Sequence, residues 1–200
     1  MLNIDASGKV LHPKVLSAIS ATIERGDMPY INGIIVHQTD SKTAQSSLNS
    51  YQNPQANGAH FLIDKDGSIY QTASVYKKTW HVGKLKARCV LDNRCTPAEL
   101  KSLKKHNPSA ENTRELNKKA PERFPSNADS IGIELVGKAI SNPAVPQAAP
   151  VYETVTAQQN ASLKWLVSEL RETLGVPMSE VFRHPLVSRK NETEASTAQW

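Results

Sequence analysis

The chain has 200 residues, 38% of them apolar, and a formal net charge of +5. That length suits one domain around one core, and no stretch approaches the roughly 18 apolar residues that a bilayer span needs. The basic balance suits nucleic acid or an anionic cell wall, but Lys and Arg are scattered apart from Lys101 to Lys105 and Lys118-Lys119, and no nucleic-acid motif accompanies them.

The first residues lack the basic start and apolar run of a signal peptide, so the chain is expected to be cytoplasmic, exported by another route, or trimmed at its start. Val15, Leu16, Ile19 and Ile23 recur at helical spacing behind Pro13, which predicts a helix over 14–25. The apolar run Gly33-Ile34-Ile35-Val36 predicts a buried strand over 31–37, and the polar stretch 39–51 a helix. Two further strands are expected at 59–63 and 68–71. Asp64-Lys65-Asp66-Gly67 between them reads as a hairpin turn, because Asp-Gly tolerates positive φ.

From residue 84 to 129 the pattern turns polar, rich in Lys, Asn and Pro, and reads as a surface excursion inserted in the core fold of a single 1–200 domain. Its one clear helical signal is the capping box opened by Thr96 and closed by Glu99. It also holds both cysteines, Cys89 and Cys95. Five intervening residues are too many for a short zinc knuckle or a redox Cys-x-x-Cys, so a local disulfide is expected, suited to an oxidising place such as the periplasm. Order returns with a strand over 130–136, a proline-rich loop over 141–150 and an amphipathic helix over 156–174. Gly175 and Pro177 stop that helix, and a short strand over 181–184 follows. Mixed strands and helices predict an α/β or α+β fold with a central mixed sheet.

Three histidines, His37, His60 and His184, fall in strands or at strand ends, where rigid backbone meets polar loop. Imidazole is the usual zinc ligand, and a catalytic site needs three protein ligands and an open position; taken singly, each reads more readily as a hydrogen-bonded or exposed histidine. Glu134 interrupts an apolar strand and points opposite to Ile133 and Leu135. A partly desolvated carboxylate there can act as a general base beside a metal. The tail from His184 adds Lys190, Glu192 and Glu194, and a lysine near a metal can stabilise an oxyanion.

In chain order, Ile34-Ile35-Val36-His37, Ala59-His60-Phe61-Leu62-Ile63 with Asp64 to Gln71, Thr79-Trp80-His81-Val82-Gly83, Ser130 to Leu135, and His184 with Lys190 together resemble the zinc amidase family. That family includes phage lysozyme-type amidases, anhydro-muropeptide amidases and peptidoglycan recognition proteins. The resemblance implies a central sheet flanked by helices with zinc in a surface groove, and hydrolysis of the bond between N-acetylmuramic acid and L-alanine of peptidoglycan. It assigns His37 and His184 as zinc ligands, Glu134 as the base, Lys190 to the oxyanion, and Trp80 and His81 to the groove lining.

Two departures bear on the site. Ala59 stands where many relatives have tyrosine, which favours Glu134 as base. Relatives place an Asp or Cys ligand two residues after the lysine, before Pro-Gly. That register gives Glu192, but Pro-Gly is absent and Glu194 competes if Asn191 to Glu194 begins a helical turn, which Ala195 to Ala198 would permit. Amidases with such an excursion and no signal peptide resemble antibacterial toxins delivered by type VI secretion. That implies action in a target's periplasm and a docking partner such as an immunity protein or a secretion component. A metal-free peptidoglycan-binding module of the same fold is the alternative; a nucleic-acid partner and membrane insertion are not expected.

Overall fold

The computed structural model describes residues 1–145 and 147–200. In chain order come β1 (Val15–Ser17), β2 (Glu24–Asp27), β3 (Gly33–Gln38), α1 (Ala44–Ser50), β4 (Phe61–Ile63), β5 (Ile69–Gln71) and β6 (Lys77–Thr79). Three short helices follow, α2 (Arg88–Leu91), α3 (Pro97–Leu103) and α4 (Pro108–Leu116). The chain ends with β7 (Ser130–Leu135), β8 (Ala139–Ile140), β9 (Val151–Tyr152), α5 (Ala157–Leu174), β10 (Val181–Arg183) and α6 (His184–Val187).

Six strands make one mixed sheet in the order β1-β5-β4-β7-β3-β10. The hairpin β4–β5 is antiparallel and the other neighbours are parallel. As the sequence predicts, Asp64 to Gly67 closes that hairpin, with Gly67 at a φ of +87° and the Gly67 N–H donating to the Asp64 carbonyl at 2.9 Å. Central parallel strands are covered on both faces, which is why β3 and β7 are apolar almost throughout rather than alternating. On one face Ile34, Val36, Ile131, Ile133 and Leu135 pack against Leu163, Leu166, Val167 and Leu170 of α5. On the other, Ile35 and Phe182 meet Val82, Leu85, Phe124 and Val187.

Helix α5 starts at a capping box between Thr156 and Gln159 and stops at Gly175 in the left-handed conformation. Trimming one of its buried leucines to alanine should cost about 2–5 kcal/mol.

The helix expected over 14–25 does not form. Those residues instead give β1, a single 3-10 turn (Ala21–Ile23) and β2. The Ala18 and Ser20 N–H groups donate to the carbonyls of Gln71 and Thr72, and Val15 pairs with Ile69. Partners on β5 thus claim the backbone groups that a helix would have used internally. Leu16 is left 48% exposed, so the helical spacing of the apolar residues was coincidental.

Between β6 and β7, the capping box of Thr96 and Glu99 opens α3 as expected. The unforeseen α4 begins at Asn107, whose side chain accepts the Ala110 N–H, with Pro108 in the first turn. Cys89 and Cys95 form a disulfide, their Cα atoms 4.6 Å apart. Among the described residues no helix is long and apolar enough to cross a membrane.

Candidate metal centre and active site

Strand register places the main functional side chains in one row. His37 on β3 pairs with Glu134 on β7, and paired residues project from the same face. On the other side β10 runs parallel to β3 with Arg183 opposite Val36. One further step brings His184, the first residue of α6, beside His37, and their ring centroids lie 4.2 Å apart. The row sits at the carboxyl ends of three parallel strands, where α/β sheets open into ligand-binding crevices.

The tail supplies the acid. Glu194 is buried, with Oε1 2.9 Å from His184 Nδ1 and 3.5 Å from His37 Nδ1. Glu192 is 76% exposed and lies 3.5 Å from Lys86 Nζ. The structure therefore brings Glu194, and not the Glu192 favoured by the family register, to the two histidines. The reason is the turn over 192–197. Its Ala195 N–H donates to Gln38 Oε1 at 2.9 Å, and Arg183 donates to the carbonyls of Ala195 and Ala198 at 2.9 and 2.6 Å. Ala195 and Ala198 are fully buried, which rolls Glu194 inward and Glu192 out to solvent.

These residues fit a zinc ion. One ligand atom each from His37, His184 and Glu194 lies within 4.8 Å of the others. Ligand atoms around a tetrahedral zinc stand about 3.3 Å apart, given bonds of about 2.0–2.1 Å. Two imidazoles and a carboxylate would make the three-ligand donor set that catalytic zinc sites use.

The proton pattern agrees. His81 Nε2 lies 3.3 Å from the Ser130 carbonyl, an acceptor, so that nitrogen carries the proton. Its Nδ1 then accepts from His37 Nε2 at 3.0 Å. His37 Nδ1 is left as a lone pair facing the Glu194 carboxylate, an arrangement that calls for a cation between them. Burial, with His184 alongside, lowers His37 to a pKa of about 4, so the ring is neutral at pH 7, as a ligand must be. Gly132 permits this stack: a Cβ there would fall 2.7 Å from His81 Nδ1.

Glu134 stands next in the row. Burial raises its carboxyl to about 6, against the hydrogen bond from Tyr51. The Tyr51 hydroxyl, at the C-cap of α1, donates to Glu134 Oε2. Nothing in the polar sequence around Tyr51 marked it, apart from its being the aromatic residue that ends a helix facing β7.

A groove of about 510 Å³ runs past these groups, lined also by Trp80, Gly83, Tyr152, Lys190 and Asn191. Trp80 is 50% exposed, with the Arg25 guanidinium 4.7 Å above its ring. His81 borders the groove, but both its ring nitrogens are engaged as described. Exposed Lys190 reaches the same groove as Glu134 and His184. His60, the third histidine of the sequence reading, lies apart from the ligand cluster. It is fully buried, accepts the Gly132 N–H on Nδ1 at 3.0 Å and donates from Nε2 to the Lys77 carbonyl at 2.8 Å. That makes it a fastener between β6 and β7.

The family described as N-acetylmuramoyl-L-alanine amidase matches residues 26–196. No curated protein matches the chain. Among solved structures, an AmpD selenomethionine derivative aligns with a TM-score of 0.58 at 16% identity, over 100% of this chain and 96% of that one. AmpDh3 of Pseudomonas aeruginosa, solved in complex with an anhydromuramic pentapeptide, aligns with a TM-score of 0.52 at 19% identity, over 86% of this chain and 60% of its own. The endolysin amidase LysCS of Clostridium intestinale aligns at 0.50 and 19% identity, over 89% and 85% of the two chains. At these identities the likeness is one of fold.

Proposed function

The chain belongs to the N-acetylmuramoyl-L-alanine amidase family, and on that premise we propose that it is a zinc hydrolase of the bond between the lactyl group of N-acetylmuramic acid and L-alanine in peptidoglycan. The observation that carries the zinc reading is the convergence of His37 Nδ1, His184 Nδ1 and Glu194 Oε1 at one end of the groove. Those three residues would hold the ion. Bound zinc supplies Lewis-acid activation of water and of the scissile carbonyl.

The rest falls to the chain's own groups. Glu134, ionised at neutral pH and steadied by Tyr51 on Oε2, takes the proton of the attacking water on its carboxylate. Lys190 Nζ donates to the oxygen that gains negative charge as the carbonyl becomes tetrahedral. Glu134 then returns the proton to the departing alanine nitrogen. His81 holds the ring of His37 in the tautomer that leaves Nδ1 free. Trp80 offers its ring to the substrate at the groove wall, with the Arg25 guanidinium stacked on it.

We place the reaction in the periplasm of a target bacterium, where the disulfide Cys89–Cys95 is stable and a basic protein meets an anionic wall. Delivery as a toxin is the finer form of this reading. It expects lysis of cells that express the chain behind an export leader and none of cells that express it without one.

The experiment is metal analysis of the purified chain with mass spectrometry of digested peptidoglycan. One equivalent of zinc, and free stem peptides beginning at L-alanine, are the expected results. A chain that binds peptidoglycan without zinc and releases nothing is a binding module, and the proposal fails.

A further inference from the structure

The site has two halves that are held in different ways. His37 and Glu134 sit in the middle of the sheet, fixed by the ladder between β3 and β7. His184 and Lys190 belong to the stretch 180–192, which has only β10 in the sheet. Arg183 and His184 also meet the 194–198 turn, and much of the remainder is gripped by the 84–129 segment.

The grip is made at Glu180 and over residues 185–189. Leu85 forms an antiparallel bridge with Ser188, and the Lys86 N–H donates to the Val187 carbonyl at 2.8 Å. The Ser188 hydroxyl donates to the Lys84 carbonyl at 3.0 Å, and Lys86 Nζ to the Pro185 carbonyl at 2.6 Å. Arg88 makes a two-pronged pair with Glu180, both contacts 2.7 Å and both side chains buried. Arg189, the neighbour of Lys190, is paired with Glu111 on α4.

The segment is itself cross-tied where it grips. Glu111 accepts the Ala87 N–H at 2.7 Å, and Glu115 the Arg88 N–H at 3.4 Å, so two α4 carboxylates cap the start of α2. The disulfide Cys89–Cys95 closes the turn just beyond. Buried ion pairs add little net stability but tolerate few alternative geometries, because a lost partner leaves a charge without solvent. The Arg88–Glu180 pair is of this kind, whereas Arg189 of the second pair is half exposed.

We infer that the 84–129 segment is a brace that sets His184 and Lys190 in place, with Arg88 and Glu111 as its positioning residues, acting through Glu180 and Arg189, and the disulfide as its latch. The inference rests on the zinc-amidase reading only for what the braced residues do.

Hydrogen exchange on the metal-free full-length chain tests it. Two variants are compared with wild type: Cys89→Ser/Cys95→Ser, and Glu111→Gln, whose partner Arg189 is half exposed. Backbone amides of 184–190 should exchange about tenfold faster or more in each, while those of β3 and β7 keep wild-type protection. Zinc affinity, read by chelator competition, should fall by about threefold to tenfold, less than the roughly 10- to 100-fold lost when a group bonded directly to a ligand is removed. In Glu111→Gln, kcat should fall with KM nearly unchanged.

Wild-type exchange over 184–190 in both variants overturns the brace. If the cysteine variant loses protection everywhere, Glu111→Gln decides: a rise confined to the stretch around Lys190 supports the brace, and no rise overturns it. Should wild type bind no zinc, the exchange result still judges the brace, while the functional reading falls separately.

Discussion

The Tyr51 hydroxyl donates to Glu134 Oε2, tying the C-cap of α1 to the carboxyl end of β7. This bond opposes the effect of burial, which raises the Glu134 carboxyl to about 6. A base works only when ionised, so activity should climb through that pH on the acid side. Tyr51→Phe removes a donor that favours the carboxylate, and the pKa should move up. The acid limb of kcat/KM against pH should therefore shift to higher pH, with zinc content unchanged. An unshifted limb would show that the tyrosine does not tune the base.

Glu134→Gln is nearly isosteric and cannot take a proton. It should keep zinc and lose about 10²- to 10⁴-fold in kcat, the usual weight of a general base. Peptidoglycan turnover measured beside metal content checks this, and a loss under about fivefold would place the base elsewhere.

Zinc retention should separate the tail carboxylates. His37→Ala, His184→Ala and Glu194→Gln each remove one of the three proposed ligands and should each abolish tight binding. Glu192→Gln should bind like wild type, since Glu192 faces solvent beside Lys86. Equal retention by the two glutamine variants would mean that the tail does not supply the third ligand.

His60 should make the fold acid-labile. Burial lowers its pKa from 6.5 to about 4, so below pH 6.5 the unfolded chain gains a proton that the folded chain refuses. Stability contributed by neutral His60 is complete above that pH. It is lost as pH falls toward 4, by about 3 kcal/mol in all. Urea unfolding of wild type and His60→Gln between pH 7 and pH 4 measures it, and the variant should show the shallower decline. Parallel declines would assign the acid lability to other groups.

Much of this protein is legible in its sequence because local chemistry decides it. Apolar runs fix β3 and β7, Asp66-Gly67 fixes the hairpin, and the capping residues Thr96 and Thr156 with Gly175 fix the ends of α3 and α5. The order of the motifs fixes the family, and with it the roles expected of His37, Glu134, His184 and Lys190. Other features depend on partners far along the chain. Residues 15–27 are strands and a 3-10 turn because β5 and β6 take up their backbone groups. Tyr51 meets Glu134 across 83 positions, a contact without local trace. The choice of Glu194 over Glu192 rests on which way a turn faces, and Gln38 sets that by holding Ala195 from 157 positions away. A sequence window records which side chains are available; which of two neighbouring carboxylates turns inward is settled only when the turn docks and buries its alanines.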